Sequence, residues 1–145
     1  MFKTVYDIAA NAMSASRLRI NTIASNIANA QTTRTAEGGP YKRRDVVLAA
    51  VDQKPEDFAS MLDQESLKNV KVAAVVTDNK PPMMVYDPGH PDADAKTGMV
   101  AMPNINPVTE MVNMLSASAA YKAASEVVSA TKDMASVVRG LVNRS

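Results

Sequence analysis

The 145-residue chain contains no cysteine and no tryptophan, and only 4% of it is aromatic. The first absence excludes disulfides, thiol catalysis and cysteine-based zinc sites together. The second, with only Phe2, Phe58, Tyr6, Tyr41, Tyr86 and Tyr121 as rings, leaves Ala, Val, Ile, Leu and ten Met to build any core. Charge is equally spare. The net formal charge is +1 and no stretch is a strong polycation or polyanion, so neither nucleic acid nor an anionic membrane has an electrostatic claim on the chain. No run approaches the ~18 consecutive apolar residues of a membrane span, and the start, Met1 to Asp7, lacks the apolar segment of a cleaved secretory signal.

Proline and glycine are not scarce but confined. All eight prolines fall between Pro40 and Pro107, and outside residues 38–107 the sole glycine is Gly140. Helix interiors exclude these residues at a cost of roughly 1 kcal/mol for Gly and 3 for Pro. The breakers therefore divide the chain into a helical start, an irregular or β middle and a helical end, which is an α+β composition.

The ends carry heptad-like patterns. Phe2, Tyr6, Ala9, Met13, Ser16, Ile20, Ile23, Ile27 and Ala30 are spaced alternately by threes and fours, the signature of a narrow apolar seam on a helix. So are Met114, Ala117, Tyr121, Ala124, Val128, Thr131, Ala135, Val138 and Val142, with Val127, Met134 and Leu141 as a neighbouring stripe. A helix over residues 5–30 would be roughly 40 Å long. Asn106-Pro107 supplies a start for the second helix, and Glu110 falls in its first turn, where negative charge suits the helix dipole. Such seams bury little alone; they pack on each other, on a small β unit, or are completed by assembly.

Between the helices the pattern shortens to β-type runs at 41–51, 70–77, 83–86 and 98–102. They are punctuated by Gly38-Gly39-Pro40, Asn79-Lys80-Pro81-Pro82 and Asp87-Pro88-Gly89-His90-Pro91. Residues 52–69 are acidic and read as an exposed segment with at most a helical turn.

Chemistry-bearing patterns are few. His90, in the acid-dense turn formed by Asp87, Pro88, Gly89, His90, Pro91, Asp92 and Asp94, is the centre of a rival reading as a small hydrolase or metal-binding protein. A calcium loop from Asp92 meets Lys96 and Pro103 at positions that need oxygen ligands. A lone His without Cys does not assemble zinc locally, and no Gly-x-Ser-x-Gly elbow or phosphate loop occurs. A proline-fixed turn whose carboxylates cap backbone N–H groups is the favoured reading. No catalytic, metal or cofactor site is expected. Lys42-Arg43-Arg44, the single basic run, opens an apparent strand and suits salt bridges to an acidic neighbour surface better than phosphates. A soluble helical chaperone is a further rival.

Leu18 to Thr33, with Ala24, Asn26, Ile27, Ala28, Asn29 and Thr32, resembles the Ala-x-Asn-Leu/Ile-Ala-Asn-x-x-Thr signature at the start of the rod, hook and related axial proteins of the bacterial flagellum. Gly38 to Val47, Tyr86 to Asp94, and Met102 to Asn106 running into Glu110 to Met114 narrow the resemblance to the short proximal rod proteins of the basal body. Met99 stands where that family usually has Tyr, and Ala119 and Ala124 replace an Arg and an Asn around Tyr121. Segment 52–69 resembles a lineage-specific insertion.

The resemblance implies terminal helices (1–35 and 107–145) paired as an antiparallel coiled coil, with a small β-rich outer domain at 36–106. It also implies a structural, non-enzymatic rod subunit in the periplasmic part of the basal body, exported by the flagellar type III apparatus without a cleaved signal and without membrane insertion. The implied partners are copies of itself, the other proximal and distal rod subunits, the basal-body adaptor protein and the export apparatus. Ile20, Ile23, Asn26, Ile27, Asn29, Tyr121, Val128, Val138 and Val142 are then the expected assembly contacts, and Asp87 to Asp94 a structural turn.

Overall fold

A computed structural model describes residues 2–52 and 68–142, with the side chains of Phe2, Lys3, Leu141 and Val142 excepted. The acidic stretch read above as an exposed segment therefore lies, at 53–67, outside the described residues. The order is α1 (Phe2–Ala28), β1 (Arg44–Asp52), β2 (Lys68–Thr77), β3 (Met83–Tyr86), β4 (Met99–Met102) and α2 (Pro107–Val142). Two long helices flank a small sheet region, an α+β chain.

Local chemistry sets the helix ends. α1 stops where Asn29 turns its side chain back: its Nδ2 donates to the Ser25 carbonyl at 2.9 Å, and its Oδ1 accepts from Thr32 Oγ1 at 3.2 Å. The Ser25 carbonyl, which also accepts the Asn29 amide at 3.1 Å, thus takes two bonds from the residue that ends the helix. The chain then reverses through Gly38 and Gly39, with φ of 87° and 72°, values that L side chains rarely adopt. α2 starts on an N-cap: Asn106 Oδ1 accepts from the Val108 and Thr109 amides at 2.9 and 3.3 Å, and Pro107 takes the first helical position.

The strands form two ribbons. β1 pairs with β2, and the Asp78 amide donates to the Arg43 carbonyl at 2.8 Å, so the end of β2 meets the beginning of β1. β3 pairs antiparallel with β4 in the register Met83↔Met102 through Tyr86↔Met99. Their connection is closed by the Asp87 amide donating to the Gly98 carbonyl at 3.0 Å. Gly98 has φ 67°, and a Cβ there would lie 2.9 Å from the Tyr86 ring. The backbone angle strains any larger residue, and its Cβ would have to displace the exposed Tyr86 ring.

The described residues form two compact units. One takes those within Met1–Leu18, Val47–Ala74 and Ala117–Ser145, the other Arg19–Val46 and Val75–Ser116. Buried positions of the first are small or polar: Ala9, Ala15, Asn69, Ala117, Ala124 and Thr131. The Thr131 hydroxyl is satisfied on its own helix, donating to the Val127 carbonyl at 2.7 Å. The second unit has a bulkier interior of Ile23, Val46, Val100, Pro103 and Ile105, together with Asn26 and Glu110.

Candidate functional site

In the second unit the buried polar groups are joined. Asn26, near the end of α1, is 0% exposed and Glu110, in the first turn of α2, is 1% exposed. The Asn26 Nδ2 donates to Glu110 Oε2 at 2.9 Å and to the Arg44 carbonyl at 2.8 Å. Its Oδ1 accepts from the Arg44 amide at 3.0 Å and from the Tyr41 hydroxyl at 3.2 Å. A primary amide has two donor and two acceptor sites, and all four are used. The second carboxylate oxygen of Glu110 receives Arg43 Nε at 2.9 Å and Asn113 Nδ2 at 3.3 Å. Arg43 also reaches Asp45 at 3.1 Å. Burial pulls the Arg43 pKa down, but hydrogen bonds to Glu110 and then Asp45 outweigh it, so the value stands above the usual arginine range. The node thus holds a permanent cation against a buried carboxylate, and a raised arginine introduces no titration at ordinary pH.

The expected assembly residues are distributed over the helices as follows. Ile23 and Asn26 are buried; Ile20, Ile27, Asn29, Tyr121 and Val128 are half-buried; Val138 is exposed; the Val142 side chain lies outside the described residues. Asn26 therefore spends its hydrogen bonds inside the chain. Arg43 and Glu110 were legible only as a basic run and a helix-dipole residue, since a partner 67 positions away leaves no mark in local spacing. Both acids that Arg43 meets, Glu110 and Asp45, belong to its own chain.

A second feature absent from the heptad reading is an exposed apolar row on α2. Val108 (68%), Met111 (54%), Val112 (60%) and Leu115 (71%) follow the i, i+3, i+4, i+7 spacing of one helix face. At 100° per residue this row lies opposite the buried row Glu110, Ala117, Ala124 and Thr131. The i, i+3, i+4, i+7 signal was present in the sequence.

The turn 87–94 is closed by its own backbone and side chains. Asp87 Oδ1 accepts from the Gly89 amide at 3.2 Å, and His90 Nδ1 accepts from the Asp92 amide at 3.0 Å. The Asp92 carboxylate meets Thr33 Oγ1 at 2.8 Å and Arg34 at 3.0 Å rather than the imidazole. Asp94 Oδ1 accepts from the amides of Lys96 at 2.8 Å and Thr97 at 3.0 Å. Pro88 and Pro91 are exposed.

Backbone hydrogen bonds from Lys96 and Thr97 hold the Asp94 carboxyl below its ordinary 3.8, and one from Lys80 does the same for Asp78. A lowered carboxylate adds stability above its unfolded pKa, and that stability fades as pH falls through the lower folded value. Amide exchange protection at Lys96 and Thr97, corrected for intrinsic rates, is therefore expected to hold through the ordinary 3.8 of the carboxyl and to fall only at lower pH. The uncharged acceptor of Asp94→Asn should remove the pH dependence; unchanged wild-type protection at that lower pH would count against the capping role.

Comparison with known proteins places both helix-bearing ends in one class. Residues 7–34 match the family model described as flagella basal body rod protein. Residues 96–141 match the model described as flagellar basal body rod FlgEFG protein C-terminal. The first segment contains Asn26 and the second Glu110, so the node joins the two matched regions.

Near full-length relatives narrow the class. The chain is 41% identical over 135 residues to flagellar basal-body rod protein FlgC of Borreliella burgdorferi, covering 88% of this chain and 89% of that one. It is 42% identical over 130 residues to the protein of the same name from Salmonella typhimurium, covering 90% of each. With that of Bacillus subtilis the identity is 35% over 138 residues, covering 88% and 89%. The chain belongs to the FlgC family of flagellar basal-body rod proteins.

Proposed function

We propose that this chain, a structural subunit of the flagellar basal-body rod, builds the proximal part of a tubular drive shaft that transmits torque and surrounds the export channel. In this reading α1 and α2 of one chain pair antiparallel as a coiled coil. The Asn26–Glu110 bond supports it by joining the end of α1 to the start of α2. Helix pairs of neighbouring subunits then pack side by side through head-to-tail contacts, which repeat along a helical lattice instead of closing on two copies.

The observation that carries the proposal is the exposed row Val108, Met111, Val112 and Leu115. Exposed contiguous apolar surface marks interaction sites, and here it faces away from the chain's own buried row. Half-buried Ile20, Ile27, Tyr121 and Val128, with exposed Val138, extend the proposed contacts along the helices; Ile23 and Asn26 support them from inside. The partners are copies of this chain, other proximal and distal rod subunits and the adaptor protein at the rod base. Delivery is through the flagellar type III apparatus to the periplasmic rod. The mechanism is mechanical and asks no bond chemistry of His90 or the node.

Purified basal bodies from a motile strain, stripped to the rod, are expected to contain the chain at a fixed ratio to the other rod subunits. Recovery only in the soluble cytoplasmic fraction would overturn the assignment.

A further inference from the structure

The buried row of α2 is nearly uniform. Glu110, Ala117, Ala124 and Thr131 succeed one another at intervals of seven residues and are 1%, 1%, 9% and 2% exposed. Shifting α2 along its axis by one heptad, about 10 Å, places Ala117 where Glu110 stood, Ala124 where Ala117 stood and Thr131 where Ala124 stood. Shape therefore discriminates weakly between the two alignments, because three of the four side chains are small. Glu110 is the member of the row that differs in kind.

We infer that Asn26, Arg43 and Glu110 act as a register key: positioning residues that select one longitudinal alignment of α1 against α2 and make it depend on the start of β1. In the shifted alignment Asn26 Nδ2 and Arg43 Nε face an alanine, and both lose a carboxylate partner that they hold at 2.9 Å. Fully satisfied buried networks specify one arrangement because partial satisfaction is costly. Arg43 and Arg44 give the key its link to the middle of the chain: the Arg44 backbone occupies both an acceptor and a donor site of Asn26. A helix pair formed without the first strand in place leaves half of the Asn26 amide unpaired. For a subunit repeated in a lattice, one shifted chain displaces every contact that follows it, so register is a property worth specifying even at a cost in stability.

The inference rests on the antiparallel pairing proposed above, and two label pairs keep the two readings separable. The cysteine-free sequence takes spin labels cleanly at Asn21→Cys with Ser116→Cys, and at Ala10→Cys with Glu126→Cys, all exposed positions. Antiparallel pairing gives a short distance for both pairs in the otherwise unaltered full chain. A long distance for the second pair defeats the pairing, whatever the variants do.

Given the pairing, the double variant Asn26→Leu/Glu110→Leu is expected to keep its helical circular dichroism and gain a second distance population displaced by up to about 10 Å. A merely stabilising role moves the melting temperature and leaves one distance. A single unshifted distance in the helical double variant overturns the key. Should that variant lose its helical signal, Glu110→Gln decides: it retains the side-chain volume and one acceptor, and a displaced minor population is expected. A single unshifted distance there overturns the inference equally.

Discussion

A strain carrying Leu115→Asp is expected to synthesise the chain at normal levels, fold it and fail to swim. The side chain of Leu115 is exposed in the chain itself, at 71%, so the substitution removes no core. Exposed helical substitutions away from special features change stability by about 0.5 kcal/mol or less, with a few tenths more for the lower helix propensity of Asp. The melting temperature of the isolated subunit should therefore move by no more than a few degrees. In an assembled rod the same position would be covered by a neighbour. A carboxylate desolvated there without a partner costs several kcal/mol, and a lattice repeats that cost at every subunit. Each 1.4 kcal/mol is tenfold in an equilibrium constant, so rod assembly should fall by at least about a hundredfold. Leu115→Met, which conserves volume and apolarity, should swim normally. Soft-agar swarming and the recovery of basal bodies measure the outcome, and wild-type motility in Leu115→Asp would remove this face from the interface. Ile23→Asp does not make the same distinction. Ile23 is 3% exposed, and an aspartate there damages the chain's own interior before any neighbour is involved.

That contrast reflects what a sequence carries locally. The helices were legible because their cause is local: excluding Pro and Gly from both ends leaves little else for an Ala-, Ile- and Val-rich stretch to form, and Asn106-Pro107 is a start signal whose cap is made by the adjacent residues themselves. The expected 5–30 and observed Phe2–Ala28 differ at both ends: the helix starts three residues earlier and stops two earlier, where Asn29 and Thr32 turn the chain. The strands at 70–77, 83–86 and 98–102 were likewise near their observed bounds, since β-branched runs between fixed turns leave few choices. In the turn around His90 the side chains of Asp87, His90 and Asp94 accept backbone amides a few residues on, a local arrangement of the same kind. What escaped was tertiary. Asn26 was expected as an assembly contact, yet its amide is buried with Glu110, 84 residues away. Periodicity ranks side chains by polarity and cannot see that a polar one has been matched. The exposed row on α2 was visible as an i, i+3, i+4, i+7 set, but the heptad row competes for the same helix, and only burial shows which of the two faces the chain covers itself.

The same burial predicts that Arg43→Met is among the most damaging single changes available to the folded subunit. The Glu110 side chain is 2% exposed and its Oε1 rests on Arg43 Nε at 2.9 Å. Methionine fills much of the space of the arginine stem but donates nothing, so the carboxylate keeps only the amides of Asn26 and Asn113. Removing one partner of a buried ion pair costs about 3 to 5 kcal/mol. The lower end applies here, because the Arg43 side chain is itself 22% exposed and water partly replaces what is lost. For a chain of this length about 3 kcal/mol lowers the melting temperature by roughly 10 °C. Arg43→Met/Glu110→Met should recover only part of that loss: removing both charges leaves no unpaired ion in the interior, but the buried Asn26 amide loses the acceptor it holds at 2.9 Å. Thermal unfolding of the two variants and the wild type, followed by circular dichroism, checks both statements. A single variant within about 0.5 kcal/mol of wild type would show that the pair is solvated in solution. A double variant as unstable as the single would show that orphaning the Asn26 donor costs as much as leaving the Glu110 carboxylate without Arg43, which shifts the weight of the node onto Asn26.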